Sequence, residues 1–323
     1  MRDSRNALES PFLTVVVRTQ GTRNSIIGDA LLCLAAQTDR SFDVLVVGHD
    51  MAETQRAQFL RTVNQYAPLL PEIRVHQHVG GHRGAPLNAA LSQTRTDYVA
   101  FLDDDDAVWP HWVETFHVLA TEAPDTILRS TVAAQAITPA PWGGDSDGFV
   151  SRGKLAMPFP CDFNLIDHLY VNRSPFMGLA FPRTHFQRPE AAFDESLLVV
   201  EDWDFLLRGA LACRVTASPS VTALYRQWRG GQNSMSHGTE ELWNESMRRV
   251  HEKFDSNQIC LPPGSVKELV HLQESLIESR QNEKRLKSQL AGKRKEMLTL
   301  KTRRGLAPRL SSFAHKVLTR RAK

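Results

Sequence analysis

Apolar positions in the first third of the chain fall into two alternating periods. Residues 12–17, 42–47, 73–78 and 98–102 are short runs rich in β-branched and aromatic residues, the pattern of strands buried on both faces. Between them, residues 25–37 carry Ile27, Leu31 and Leu34 at helical spacing, and residues 51–66 read as a second helix that stops before Pro68 and Pro71. Residues 80–91 (GGHRGAPLNAAL) make a glycine-containing loop that runs into a short helix. Strands and helices alternating at this spacing predict βαβ units, hence an α/β fold with a mostly parallel twisted sheet flanked by helices, Rossmann-like in plan.

The later pattern is less regular. Residues 111–120 read as a helix, 126–138 as one or two strands, 164–170 as a helix and 174–182 as a strand. Residues 139–160 are dense in Pro, Gly, Asp and Ser, which predicts a long irregular excursion of the kind that forms substrate loops. In residues 193–212 (FDESLLVVEDWDFLLRGALA), Asp202 opens an amphipathic helix marked by Phe205, Leu206, Gly209 and Ala210, and residues 215–226 follow as a strand. From Pro263 the composition changes, with no Trp, Tyr or Phe until Phe313. Leu269, Leu272, Leu276, Leu286, Leu290, Met297 and Leu300 keep a 3-4 spacing, interrupted at the seam by Ser279, Glu283 and Lys293. The domain reading is a body over residues 1–258, a long helix with an imperfect coiled-coil seam over 259–300, and a basic tail over 301–323.

Charge sharpens that division. Residues 280–323 hold 15 of the 39 Lys and Arg but 2 of the 36 Asp and Glu, so an acidic body is joined to a basic extension. The extension is a candidate for self-association through the long helix. Its last part pairs basic residues with Leu306, Leu310, Phe313, Val317 and Leu318, a candidate for peripheral contact with an anionic membrane; nucleic acid is not an expected partner. The polar start, and the lack of any apolar stretch of membrane-spanning length, predict a cytoplasmic protein, in peripheral contact with the inner face of the membrane if the tail binds there. Cys33, Cys161, Cys213 and Cys260 are far apart and read as buried thiols rather than a zinc site or a disulfide framework.

The chemistry concentrates where the residue 98–102 strand ends in Asp103-Asp104-Asp105-Asp106. Four carboxylates at the tip of a buried strand repel one another unless positive charge sits among them, and a hard cation bound by oxygen ligands supplies it. Asp103, Asp105 and Asp106 are the candidate ligands for Mn²⁺ or Mg²⁺, and the usual companion of such an ion is a diphosphate. Neither a Walker A nor a GxGxxG sequence is present; the 80–84 loop offers Arg83 as an anion contact. A second acidic pair, Glu201-Asp202, stands at a helix start. It either caps the helix or, if it reaches the same cleft, provides Asp202 to take a proton from a substrate hydroxyl.

The ordered set TVVVRTQG, Gln37-Thr38, FDVLVV, Asn88, YVAFLDDDD and Glu201-Asp202, spread over residues 11–235, resembles the family 2 glycosyltransferases with their GT-A fold. The resemblance implies that Asp103 and Asp105 are the DxD pair that meets a nucleotide sugar and its metal, with Asp104 beside them, and that Asp202 is the general base of an inverting transfer, with Glu201 beside it. It implies a nucleotide-sugar donor, UDP favoured, and a hydroxyl acceptor such as a glycan, a lipid-linked sugar or a cell-envelope precursor. Arg83, Arg226 and Arg229 are candidates for the diphosphate, His237 for a further metal ligand, and Asn88 for the donor site. Two places depart from the family. Arg18-Thr19-Gln20-Gly21 stands where Pro-Thr-Tyr-Asn is usual, and Gly48-His49-Asp50 where Asp-Asp-Gly-Ser is usual, so the resemblance puts Arg18, Thr19 and Asp50 at the base-binding positions, Asp50 either standing in for the missing carboxylate or stabilising a turn.

Other readings of the same residues are a catalytically idle GT-A scaffold, a nucleotidyltransferase and a metal-dependent phosphohydrolase. The first could dispense with Asp202. The second would show a glycine- and lysine-rich stretch after the first strand, of which residues 18–23 offer little.

Overall fold

A computed structural model describes residues 10–140, 148–229 and 239–319. Strand β1 (Leu13–Thr19) shows why the first half folds as it does, for its alternating side chains go to two separate cores. Leu13, Val15 and Val17 pack with Ile27 and Leu31 of α1 (Asn24–Ala35) and Phe59 of α2 (Glu53–Tyr66), while Val16 packs with Leu87 of α3 (Gly84–Gln93). Strands β2 (Phe42–His49) and β4 (Tyr98–Asp103) divide their residues in the same way. Each such side chain contributes roughly 1.5–3 kcal/mol by leaving water.

The sheet runs β3-β2-β1-β4-β8-β6-β9-β5, with β7 on β6. Here β3 is Ile73–His78, β5 Ala107–Val108, β6 Ile127–Pro139, β7 Phe149–Ala156, β8 Leu179–Pro182 and β9 Val215–Trp228. The parallel order expected from the βαβ pattern holds through β3-β2-β1-β4 and again between β6 and β9. It gives way at β8, β7 and β5, which pair antiparallel. From β1 the chain builds outward through β2 and β3, then returns to lay β4 on the other side. That reversal opens a crevice at the carboxyl ends of β1 and β4, the place where open α/β sheets bind ligands.

Two expectations are corrected. The 139–160 region is not wholly irregular: β7 pairs along the far end of the 13-residue β6, with residues 151–156 exposed. Its Gly- and Pro-rich composition hides a strand whose backbone partner, rather than a core, holds it. The thiols are not uniformly buried either; Cys161 and Cys260 lie exposed in loops, and Cys33 and Cys213 are half-buried.

Helix α4 (Trp112–Glu122) follows β5, and α5 (Leu165–Tyr170) and the short α6 (Arg183–Phe186) flank β8. Helix α7 (Glu201–Ala212) is fixed to α8 (Glu240–Asp255) by Asp204. This fully buried carboxylate meets Arg208 at 2.8 Å and Lys253 at 2.7 Å, and Lys253 also meets Asp194 at 2.6 Å. Contacts divide the chain into Met1–Leu261 and Pro262–Lys323. Among the described residues the second unit holds one helix, α9 (Ser265–Thr319), which runs on through Gly305 and Pro308. Among the described residues, no helix is long and apolar enough to cross a membrane.

Candidate active site

Parallel pairing of β1 with β4 puts Arg18 and Asp103 opposite each other at the strand ends. Arg18 Nε and Nη2 donate to the two oxygens of Asp103 at 2.9 and 3.0 Å, a bidentate pair. Its Nη1 donates to Glu201 Oε1 at 2.8 Å, and Arg83 Nε donates to the same oxygen at 2.8 Å. One guanidinium therefore bridges the two acidic motifs. Burial works against charge on Arg18, but Asp103 and Glu201 outweigh it and raise its pKa. Burial alone would raise Asp103 and Glu201, yet the neighbouring guanidinium groups hold both carboxyls below their usual range.

The other three aspartates are placed by the loop after β1 and by the end of β9. Arg23 donates to Asp104 at 2.7 Å and to Asp105 at 2.8 Å, Thr19 Oγ1 donates to Asp104 at 2.5 Å, and Trp228 Nε1 donates to Asp105 at 3.0 Å. Asp106 accepts from the backbone N–H of Arg226 at 2.9 Å. These bonds do not neutralise the cluster. Burial pushes Asp104 up to about 7 against the pull of Arg23, and burial with the charges of Asp105 and Asp103 drives Asp106 well above its ordinary value. The site is short of positive charge.

Asp202, in the first turn of α7, is raised to about 6 by burial and by Glu201 beside it, against the lowering effects of Arg83, the Trp203 backbone N–H and Arg18. Asn172 Nδ2 donates to Asp202 Oδ2 at 3.3 Å. Val200, just before the helix, has φ +61°, a left-handed conformation that is strained for a β-branched residue and fixes how the chain enters α7. Tyr225 joins the two motifs from a third side: burial and the charges of Asp106, Asp202, Asp103 and Asp105 together raise its phenol.

A buried network carries Asn172. Arg129 of β6, 1 % exposed, donates to the carbonyls of Pro160 and Cys161, both at 2.6 Å, and to Ser174 Oγ at 2.7 Å. Ser174 Oγ shares a 2.8 Å hydrogen bond with His168 Nε2, while His168 Nδ1 donates to the Asn164 carbonyl at 2.6 Å. The ring is then neutral, in agreement with burial lowering it to about 4. Trp203 Nε1 donates to the His168 carbonyl at 2.7 Å, so the 160–174 segment is clamped to α7 beside Asp202.

The sequence-derived residues thus divide. Hydrogen bonds join Arg18, Thr19, Arg83, Asp103, Asp104, Asp105, Asp106, Glu201 and the backbone of Arg226 in one corner of the sheet, with Asp202 next to Glu201. The Arg226 side chain lies 4.4 Å over the Phe149 ring and meets Asp29 at 3.4 Å. Asn88 is occupied elsewhere, bonded to the backbone of Phe193 at 2.8 and 3.0 Å and to Glu195 at 2.8 Å. Asp50, at φ +51°, accepts from the Gly80 N–H at 2.7 Å and ties β2 to the loop bearing Arg83. Arg229 is exposed just past β9, and His237 lies outside the described residues. Arg23, Asn172, Tyr225 and Trp228 are missing from the sequence-derived set. Arg23 alone left a trace there, as a second cation in the loop that follows β1.

Comparison with known proteins bears on the family likeness and the fold. The family model "Glycosyl transferase family 2" matches residues 14–155. A Sinorhizobium fredii protein, y4gI, described as uncharacterized, is 23 % identical over 254 residues, covering 77 % of this chain; the chain spans about a quarter (26 %) of that relative's length. The crystal structure of Staphylococcus aureus TarS residues 1–349 in complex with UDP-GlcNAc superposes with TM-score 0.58 at 20 % identity, over 77 % of this chain and 68 % of that one. The mannosyltransferase PcManGT of Pyrobaculum calidifontis, solved with GDP-Man and Mn²⁺, superposes with TM-score 0.53 at 15 % identity, over 79 % and 67 %. Residues 14–155 are thus similar to the family 2 glycosyl transferases, and the fold of the chain is the GT-A fold.

Proposed function

We propose that this protein transfers a sugar from a nucleotide-sugar donor to an acceptor hydroxyl with inversion at the anomeric carbon. The observation that carries the reading is the Arg18 bridge, which brings Glu201-Asp202 to the Asp103–Asp106 corner. Asp202 is the general base: with its carboxyl near 6 it is largely ionised at neutral pH and still basic enough to accept the acceptor's proton as the hydroxyl attacks. The C–O bond to the diphosphate breaks on the opposite face. Arg83 and Arg18, both within reach of the cleft, meet the departing diphosphate's charge.

The residues fit a divalent cation, Mn²⁺ or Mg²⁺. Burial, with repulsion from the neighbouring aspartates, keeps the carboxyls of Asp104 and Asp106 raised in spite of Arg23 beside Asp104 and Arg226 beside Asp106. Among the described residues no group of three His, Cys, Asp or Glu side chains is placed to hold a metal ion by itself, and such ions are commonly held by one or two carboxylates with substrate phosphates completing the shell. One or two of Asp103, Asp105 and Asp106 would hold it, and when bound it would supply positive charge to the leaving diphosphate. A UDP-sugar is favoured because TarS, whose structures carry UDP-GlcNAc and UDP, gives the higher superposition of the two relatives described. The acceptor is a glycan, a lipid-linked sugar or another envelope precursor, and the basic end of α9 gives the protein a peripheral hold on the inner face of the membrane.

Incubation with Mn²⁺ and a panel of nucleotide sugars should release nucleoside diphosphate, slowly by hydrolysis and faster with acceptor. Release of nucleoside monophosphate or pyrophosphate would overturn the reading. Asp202→Asn should abolish transfer while leaving donor binding largely intact; loss of binding would make Asp202 structural.

A further inference from the structure

Helix α9 carries a long apolar seam that the structure leaves open to water. Leu276 is 43 % exposed, Leu286 60 %, Leu290 53 %, Met297 57 % and Leu300 52 %. Exposed leucines repeated at heptad spacing over seven turns are the surface of a coiled coil, and the polar residues within the seam specify how it pairs. With Leu269 as an a position, the seam reads Leu276, Glu283, Leu290 and Met297 at a, and Ser279, Leu286, Lys293 and Leu300 at d.

In a parallel pair every seam residue meets its own copy. Glu283 would face Glu283 and Lys293 would face Lys293, two like-charge contacts inside an apolar interface. In an antiparallel pair a meets d. With the two-fold axis at residue 288, Leu276 faces Leu300, Ser279 faces Met297, Glu283 faces Lys293 and Leu286 faces Leu290, and the same four layers recur on the other side. The two charged interruptions then neutralise each other, while the central layers are leucine on leucine. Flanking positions act the other way, since Arg280 would lie near Arg294 and Lys287 near its own copy. Those positions stay in solvent, where like charges are screened, and Lys287 is already paired with Glu283 at 2.5 Å on its own helix. The desolvated seam outweighs the solvated flank.

We propose that residues 276–300 of α9 form an antiparallel two-stranded coiled coil with a second copy of this chain, centred on residue 288 and keyed by Glu283–Lys293 cross-pairs. The occupant of the seam is the same chain because its charge pattern is self-complementary in one orientation. The pairing is independent of the transferase reading. Screening of the basic flanks makes it tighten, not loosen, as salt rises to moderate ionic strength.

Sedimentation equilibrium of the full-length protein at micromolar concentration tests it. The wild type should have the mass of two chains. Glu283→Lys and Lys293→Glu should each raise the dimer dissociation constant at least about tenfold, since each puts like charges in two seam layers, and the double exchange should restore pairing to about wild-type strength. Helicity by circular dichroism confirms that each variant keeps α9. A parallel pair predicts single variants indistinguishable from wild type, which would overturn the proposal. So would a double exchange that fails to recover, a mass of one chain or of more than two, or a monomer that instead binds vesicles of anionic phospholipid through this helix.

Discussion

Arg18 on β1 and Asp103 on β4 are register partners, and the guanidinium that holds both oxygens of Asp103 also reaches Glu201, 183 residues further along the chain. Breaking a largely buried ion pair from one side leaves the other charges without compensation, at a cost of roughly 3–5 kcal/mol. Arg18→Ala should therefore destabilise the body by about 3 kcal/mol in urea unfolding and weaken donor binding as well. Arg18→Lys should recover part of the stability and little of the binding, because an ammonium cannot make the bidentate contact.

The base should show itself in the pH profile. Asp202 must be ionised to accept a proton, so kcat/KM for transfer should fall as pH drops through about 6 and level off above it. The amide of Asn172 favours the ionised form, and Asn172→Ala should move this acidic limb upward while lowering kcat about tenfold. An unmoved limb would leave Asn172 with a purely structural role.

Donor binding should depend on metal through the aspartates. Asp105→Asn and chelation with EDTA are each expected to weaken nucleotide-sugar affinity by about tenfold or more, read by calorimetry with and without Mn²⁺. The two losses should not add, since both remove the same contact. Additive losses would place the ion elsewhere.

Two buried histidines weaken the fold in acid. Burial lowers His168 and His185 to about 4 each, so the unfolded chain, with histidine near 6.5, binds more protons between those values. Their contribution is complete above about pH 6.5 and is lost as pH falls toward 4, on the order of 2–3 kcal/mol per ring. His185 has no hydrogen-bond partner on either nitrogen and lies 4.9 Å from the Phe205 ring. His185→Phe should raise thermal stability at pH 5 by more than at pH 7.5, whereas His168→Phe, which breaks the Ser174 and Asn164 bonds, should lower it at both.

Much of this protein was legible in its sequence for a simple physical reason. Strands buried on both faces must be apolar throughout, so β1, β2 and β4 could be found from local composition, and four carboxylates at a strand tip declare a charge problem whatever surrounds them. The heptad seam of α9 is equally local, since its geometry repeats every seven residues. What only the tertiary structure decided is what meets what across long separations. The β1–β4 register set Arg18 against Asp103, β9 delivered Tyr225 and Trp228 to the same aspartates, and the Arg129 network brought Asn172 to Asp202. Asn88 and Asp50 tie loops together, Asn88 through Phe193 and Glu195 and Asp50 through Gly80. Their side chains are ordinary in sequence, and strand pairing alone fixes which oxygen each one faces.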